Sequence, residues 1–209
     1  MSTSWSRPAA TGLRHISNDC ALISVDGMPV VWAARLLGKP LKERVAGIDL
    51  FEALMGRASQ TGWRVFLLGA REDVVTGVKG RYQQKYPGLL IAGYRNGYWR
   101  ADEEQSVAGQ IAASRADLLF VAISSPAKEQ FLGHYQALMQ VPFAMGVGGA
   151  FDVAAGKVRR APRWMQRSGL EWFYRFLQEP RRMFRRYFID DMAFVGLFVK
   201  ELLRGKQSQ

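Results

Sequence analysis

Five short apolar runs, at 21–25, 64–68, 89–94, 117–123 and 142–147, recur along the chain. Amphipathic stretches separate or flank them at 31–37, 48–61, 72–86, 102–113 and 128–139. The runs show little polar alternation, which predicts strands covered on both faces rather than half-exposed ones. Strands that alternate with helices in this way need crossover connections. The expected fold is therefore α/β, a Rossmann-like, mostly parallel sheet with helices on both faces. Residues 1–13 read as a disordered start, 14–160 as the α/β core and 161–209 as a basic helical appendage. Past Trp164 no further strand pattern occurs. A basic amphipathic helix is expected around 181–203, with Phe188, Phe194, Leu197 and Phe198 as its apolar side chains. Gly196 weakens that helix without forbidding it.

A chain of 209 residues, 48% of them apolar, is long enough for one domain with its own core plus an appendage. A lone Cys20 excludes an intramolecular disulfide and a cysteine-based zinc cluster. His15 and His134 are too sparse and too isolated to form a histidine metal site. The reduced cytoplasm is the default compartment. Residues 1–12 lack the apolar segment of a signal peptide. The longest unbroken apolar run, 192–199, falls far short of the ~20 residues that cross a bilayer. No span is expected, while association with a membrane surface stays open.

Charge is concentrated at one end. From Lys157 onward there are 13 Lys/Arg against 5 Asp/Glu, which places +8 of the total +11 in this segment. Cations and aromatics interleave there, in Arg160-Ala161-Pro162-x-Trp164, Leu170-Glu171-Trp172-Phe173-Tyr174-Arg175 and Glu179-Pro180-Arg181-Arg182. Guanidinium forks grip phosphate oxygens, and Trp, Tyr and Phe settle at the headgroup level of a membrane. A nucleic acid backbone is the rival partner, and a solvated basic helix with its aromatics in a core is the plainest alternative.

Ligands of open α/β sheets bind beyond the carboxyl ends of the strands, so those ends carry the candidate chemistry. They read Asp26-Gly27, Gly69-Ala70-Arg71, Asn96-Gly97-Tyr98-Trp99, Ser124-Ser125-Pro126-Ala127-Lys128-Glu129 and Gly146-Val147-Gly148-Gly149-Ala150-Phe151-Asp152. Asp26 is the candidate general base, beside a glycine that opens space; a turn or cap is the competing reading. The Gly146–Gly148 segment lets backbone N–H groups approach an anion or nucleotide sugar, or serves only as a tight turn. Asp152 suits ribose hydroxyls or a helix cap, Tyr98 a stacked base or a core position, and Lys128 a phosphate or an exposed ion pair with Glu129.

Taken in order, these segments resemble the WecG/TagA/CpsF family, glycosyltransferase family 26. The matching text is Asp26-Gly27-Met28-Pro29-Val30-Val31; Glu43-Arg44-Val45-Ala46-Gly47-Ile48-Asp49-Leu50; Phe66-Leu67-Leu68-Gly69-Ala70; Tyr86-Pro87-Gly88 before Gly97-Tyr98; Ser125-Pro126-x-Lys128-Glu129; the 146–152 glycine segment; and Arg160-Ala161-Pro162-x-Trp164 with the blocks after it. The resemblance covers about residues 20–190. It implies an inverting glycosyltransferase that moves a sugar from a UDP-sugar to a polyprenyl-diphosphate-linked sugar, in exopolysaccharide or cell-envelope glycan assembly. The implied location is peripheral, on the cytoplasmic face of the bacterial plasma membrane, with anionic lipid and not nucleic acid as the partner surface. No metal ion or other cofactor is implied, in keeping with the lack of an Asp-x-Asp motif. A homo-oligomer is left open.

Carried over by the same resemblance, Asp26 deprotonates the acceptor hydroxyl. Gly69, Tyr98, Lys128, Gly146, Gly148 and Asp152 hold the nucleotide-sugar, with Tyr98 near the uracil. Arg160, Arg163 and Arg167 close over the diphosphates, joined on the lipid side by Arg175, Arg181 and Arg182. Two departures are visible. The family's Thr-x-Asn element lies more than 25 residues before the aspartate, and only 25 residues precede Asp26 here, so that element is expected to be absent. The family's Pro-Lys-Gln-Glu reads Pro126-Ala127-Lys128-Glu129, placing a lysine where a glutamine meets substrate. The competing functions are a truncated, inactive homologue and a basic nucleic-acid- or membrane-binding module.

Overall fold

The computed structural model describes residues 16, 18–38, 41, 44–180 and 184. The chain divides into two compact units. One comprises the described residues up to Ser24 with Gly47–Lys157; the other comprises Val25–Ala46 with the described residues from Val158 on.

The first unit is the α/β unit. Four strands, β1 (Arg64–Gly69), β2 (Leu90–Arg95), β3 (Leu118–Ala122) and β4 (Phe143–Gly146), form one sheet in the order β2-β1-β3-β4. Every pairing is parallel. Burial explains why these runs are so apolar. All of β1 after Arg64 is buried, as are the first four residues of β3, whereas of the edge strands β2 is mostly part-exposed and β4 is exposed apart from Met145. Strands covered on both faces cannot alternate with polar residues.

Successive side chains still separate onto two faces. Phe66, Leu68, Leu119 and Val121 share a core with Val107, Ala108 and Ile111, and with Phe131 and Met139. Those partners come from helices that we number in chain order, α4 (Glu104–Ser114) and α5 (Ala127–Met139). On the other face Phe120 meets Phe51 edge-on at 4.7 Å. Phe51 belongs to the helix Gly47–Thr61 (α2), which follows α1 (Met28–Leu36). Phe51 also touches Tyr82 of α3 (Glu72–Lys85) and Phe151 of α6 (Ala150–Ala154). Fully burying such a ring is worth about 1.5–3 kcal/mol, so this four-ring cluster is a principal anchor of that face. Gly93 of β2 is required by packing: a Cβ there would come within 2.5 Å of the Phe66 ring.

One expected strand is not formed. Residues 21–25 run without secondary structure, and Leu22 and Ile23 are 70% and 65% exposed. Their apolar character favours a strand, but a strand also needs a ladder partner, and none of the described strands pairs with this stretch. A backbone bond to a distant segment runs from the Val45 N–H to the Val25 carbonyl, at 3.1 Å.

The second unit is helical, with α1, α7 (Arg163–Arg167) and α8 (Glu171–Gln178). Gly169, at φ +76°, lets the α7–α8 turn press on α1, because a Cβ there would lie 2.7 Å from the Met28 Cγ. The Gln178 amide clamps the Arg159 backbone, accepting from its N–H at 3.0 Å and donating to its carbonyl at 2.9 Å. Apart from Phe184, the basic helix expected around 181–203 lies outside the described residues, with Phe188, Phe194, Leu197 and Phe198.

Candidate active site

Chain order fixes where a ligand could enter the first unit. From β1 the connection runs to β2 on one side, whereas β3 and β4 lie on the other. The carboxyl ends of β1 and β3 therefore flank the point where the connections diverge, the place where open α/β sheets bind ligands. Gly69 closes this point. Its φ is +113°, and a Cβ would fall 2.5 Å from the Ala122 carbonyl carbon, so no side chain fits. Ala70, at φ +56°, donates its N–H to the Ala122 carbonyl and accepts from the Gly97 N–H at 2.8 Å. Gly97 leads into Tyr98, whose N–H donates to the Asn96 Oδ1 at 3.0 Å, while the Asn96 amide donates to Glu72 at 2.7 Å. Tyr98 is 72% exposed and is not a core residue.

At the other end of the same edge, a cis Ser125–Pro126 peptide carries the chain from β3 into α5. Lys128 of α5 lies across Gly146, the last residue of β4: a Cβ on that glycine would sit 2.7 Å from both Cδ and Cε of the lysine. Gly146 is thus small to admit a side chain, whereas Gly148 carries the positive φ, +49°, of the turn. Asp152 stands in the first turn of α6, whose N-cap is Gly149. The structure thus places Gly69, Tyr98, Lys128, Gly146, Gly148 and Asp152 on the carboxyl-end segments of the sheet.

Lys128 and Glu129 form a half-buried ion pair at 3.0 Å. Burial opposes the Glu129 charge, but Lys128, the residue's own backbone N–H and Ser125 together hold its pKa below the ordinary carboxylate value. Three further residues here have no individual signal in the sequence. The Arg71 guanidinium, just past β1, pairs with Asp73 through Nε and NH2 at 3.1 and 2.7 Å, and Lys157 pairs with the same carboxylate. Hydrogen bonds from Arg71 and Lys157 hold the Asp73 carboxyl well below the usual range. These ion pairs are solvent-exposed and hence exchangeable.

In the second unit the organising side chain is Arg44. Its Nε donates to the Asp26 carbonyl at 2.6 Å, and its NH2 donates to the Asp26 Oδ1 at 3.0 Å and to the Glu171 Oε2 at 2.8 Å. Arg160 adds a longer bond, Nε to the Glu171 Oε1 at 3.4 Å. Burial opposes the Arg44 charge, yet the bonds to Glu171 and Asp26 prevail and keep its pKa above the ordinary value. Asp26 itself is 60% exposed, with one carboxylate oxygen fixed by Arg44. A carboxylate that is oriented yet open can accept a proton from a bound hydroxyl.

Of the other arginines expected to bind phosphate, Arg163 is exposed at the start of α7. Arg175 pairs with Glu179 one turn on, at 4.0 Å. Arg167 closes α7, and Arg181 and Arg182 lie outside the described residues. Among the described residues, no group of three or more His, Cys, Asp or Glu could hold a metal ion.

An open parallel sheet with glycines and polar groups gathered at its carboxyl ends is an α/β unit of the ligand-binding architecture that many functions share. The chain belongs to the glycosyl transferase WecG/TagA/CpsF family, which it matches over residues 7–208. It is 42% identical over 172 residues to the N-acetylglucosaminyldiphosphoundecaprenol N-acetyl-beta-D-mannosaminyltransferase of Bacillus subtilis (strain 168), covering 82% of this chain and 66% of that protein. With the enzyme of the same name from Bacillus spizizenii (strain ATCC 23059 / NRRL B-14472 / W23) it shares 44% identity over 157 residues, 75% of this chain and 60% of the relative. The match thus spans a little under two thirds of each relative's length.

The Glu129 pairing predicts an acid limb in stability. Because the folded pKa is depressed, the contribution is present above the ordinary value of 4.5 and is lost as pH falls through the lower folded value. Glu129→Gln should therefore make stability fall less steeply below that value, as read by chemical denaturation at stepped pH. An unchanged slope would show that the pair contributes nothing to folding.

Proposed function

We propose that this protein is an inverting glycosyltransferase that moves a sugar from a UDP-sugar to a sugar on a polyprenyl diphosphate. The observation that carries this reading is Asp26, held at one oxygen by Arg44 and otherwise open. In the proposed reaction the acceptor hydroxyl gives its proton to the Asp26 carboxylate as its oxygen bonds to the anomeric carbon. The bond from that carbon to the diphosphate oxygen breaks, and UDP leaves with the electron pair. Gly69, Gly146 and Gly148 let nucleotide and backbone come close, Asp152 accepts from the ribose hydroxyls, and Tyr98 offers an exposed ring to the base. The negative charge that develops on UDP is met by cations and backbone N–H groups, without a metal ion. Arg71 and Lys157 in the first unit, and Arg160 and Arg163 in the second, are the cations assigned to substrate diphosphates.

The named relatives act, by their names, on N-acetylglucosaminyldiphosphoundecaprenol and transfer N-acetylmannosamine. A lipid-linked amino sugar as acceptor fits the surface of the second unit. Helix α8 has its polarity reversed relative to a surface helix over a core. Glu171, Arg175, Gln178 and Glu179 engage the rest of the unit or one another, while Trp172, Phe173 and Leu177 are exposed. Trp164 and, on α1, Trp32 and Leu36 are exposed as well. Exposed Trp and Phe beside arginines suit a helix lying in the headgroup region of an anionic membrane, which is where a polyprenyl substrate is found. None of the described helices is long and apolar enough to cross a membrane. The proposed site of action is the cytoplasmic surface of the plasma membrane, in assembly of an envelope glycan or exopolysaccharide.

Asp26→Asn is expected to lower turnover by about 10²–10⁴-fold while UDP affinity changes little. Steady-state transfer and UDP calorimetry on the same preparation separate the two. Lost UDP affinity with normal turnover per bound substrate would make Asp26 a binding residue instead.

The membrane reading predicts that replacing Trp172, Phe173 and Leu177 together by Ser weakens co-sedimentation with phosphatidylglycerol vesicles at least tenfold. Each exposed apolar group inserted contributes about 25 cal/mol per Å² buried. Unchanged vesicle binding would assign the exposed apolar face another role.

A further inference from the structure

The loop that follows β2 is pinned on both sides of one outward ring. Before it, the Arg95 guanidinium donates to the Gln110 side chain of α4 at 3.1 Å. Behind it, Trp99 turns inward and meets the buried Phe131 of α5, ring centres 5.6 Å apart. Between these anchors Tyr98 is 72% exposed, so packing does little to hold its ring. Hydrogen bonds hold its backbone instead. The Tyr98 N–H donates to the Asn96 Oδ1 at 3.0 Å, and the Gly97 N–H donates to the Ala70 carbonyl at 2.8 Å. The Asn96 amide donates in turn to the Glu72 Oε2 at 2.7 Å. An N–H on one side and a carboxylate on the other leave a single orientation for that amide. Gly97 permits the close approach, because a Cβ there would lie 3.1 Å from both the Ala70 nitrogen and the Gly69 Cα.

A solvated surface tyrosine needs no such frame. An asparagine that accepts from an N–H two residues on makes an ordinary local turn. The second bond is what sets this one apart, since it comes from another element. Glu72 stands in the first turn of α3, the helix that leaves β1, so the loop after β2 is tied to the connection from the neighbouring strand. The tie lies at the carboxyl ends of the sheet, where ligands of such folds bind. Ordering a loop before binding removes a cost that its ligand would otherwise meet. An aromatic face open to solvent on a fixed backbone suits a planar group that stacks on it, as a nucleotide base does. We propose that Asn96, itself held by Glu72, is a positioning residue that acts through Tyr98: it fixes the ring for stacking and so sets affinity for the base of the substrate. This rests on the nucleotide-sugar reading and deepens it, because base recognition then belongs to a loop frame and not to one side chain.

The test is calorimetric binding of two probes, UDP and ribose 5-diphosphate, which matches UDP except for the base. Wild type should bind UDP about 5- to 150-fold more tightly, the range of one stacked base, and Tyr98→Ala should erase most of that difference. Asn96→Ala should weaken UDP about 3- to 10-fold, the cost of ordering the loop on binding, while ribose 5-diphosphate stays within about twofold. In a Tyr98→Ala background Asn96→Ala should have no further effect, because the two residues act as one unit. Asn96→Asp sets a carboxylate against Glu72 and should weaken UDP as well. Glu72→Gln combined with Asn96→Asp restores a donor facing an acceptor and should return UDP affinity to within about twofold of wild type. Should Asn96→Ala fail to fold, Asn96→Asp and this paired swap decide the matter. Equal losses for both probes, full additivity with Tyr98→Ala, or a swap that restores nothing would overturn the proposal and leave Asn96 an ordinary structural residue. A wild type that binds both probes equally would overturn it too, since no base is then read. Failure of the underlying reading shows differently, as a wild type that binds neither probe, and the proposal then falls with it.

Discussion

Two central strands buried on both faces dictate most of the architecture of the first unit. Because β1 and β3 present apolar side chains in both directions, helices must cover the sheet above and below. The connections out of β1 and β3 must accordingly leave toward opposite edges. That divergence opens a crevice where the two strands end, and there the backbones come so close that only Gly69 fits against Ala122. Packing in the core and the location of a ligand site are thus one constraint. The polar residues Tyr98, Lys128, Glu129 and Asp152 are brought to this edge because each lies just beyond the carboxyl end of a strand.

The second unit is organised by charge. Arg44 joins residues 18 and 127 positions away in the chain, since its guanidinium reaches both Asp26 and Glu171. The planar fork of arginine suits this task, and lysine would offer a point charge without the geometry. By fixing one oxygen of Asp26 and engaging the polar side of α8 through Glu171, the same residue links a candidate base to the helix whose apolar side is exposed. An aspartate at a turn could be mere punctuation. One oriented by a shared arginine fits proton transfer better.

Legibility in the sequence tracks the range of the interaction. Strands at 64–68 and 117–123 are readable because burial on both faces writes a local signature, the edge strands at 89–94 and 142–147 because they are short apolar runs between turn residues, and each lies within a few residues of its observed position. The run at 21–25 carries the same signature, yet whether it pairs depends on a partner no local window contains. Among site residues, Gly69 and Gly146 are legible as glycines at strand ends, although the physical reasons differ: a backbone approach for one, a lysine side chain for the other. Arg44, Arg71, Asp73 and Lys157 carry no such mark, since an arginine or aspartate between apolar runs looks like any solvated charge. Only the fold shows that Arg71 and Lys157, 86 positions apart, share Asp73. The part-buried Lys128–Glu129 pair is likewise invisible in sequence, because an adjacent lysine and glutamate read as an ordinary surface pair.

Transfer chemistry offers the most direct measurement. The purified chain is incubated in EDTA with a UDP-N-acetylhexosamine and an undecaprenyl-diphosphate-linked N-acetylglucosamine, and the anomeric configuration of the product is read by NMR. The expected result is glycosylated lipid with inverted configuration, formed at an undiminished rate without divalent metal. A retained configuration, or transfer that stops on chelation and returns with Mn²⁺ or Mg²⁺, would contradict a single carboxylate base acting with arginine-stabilised diphosphate.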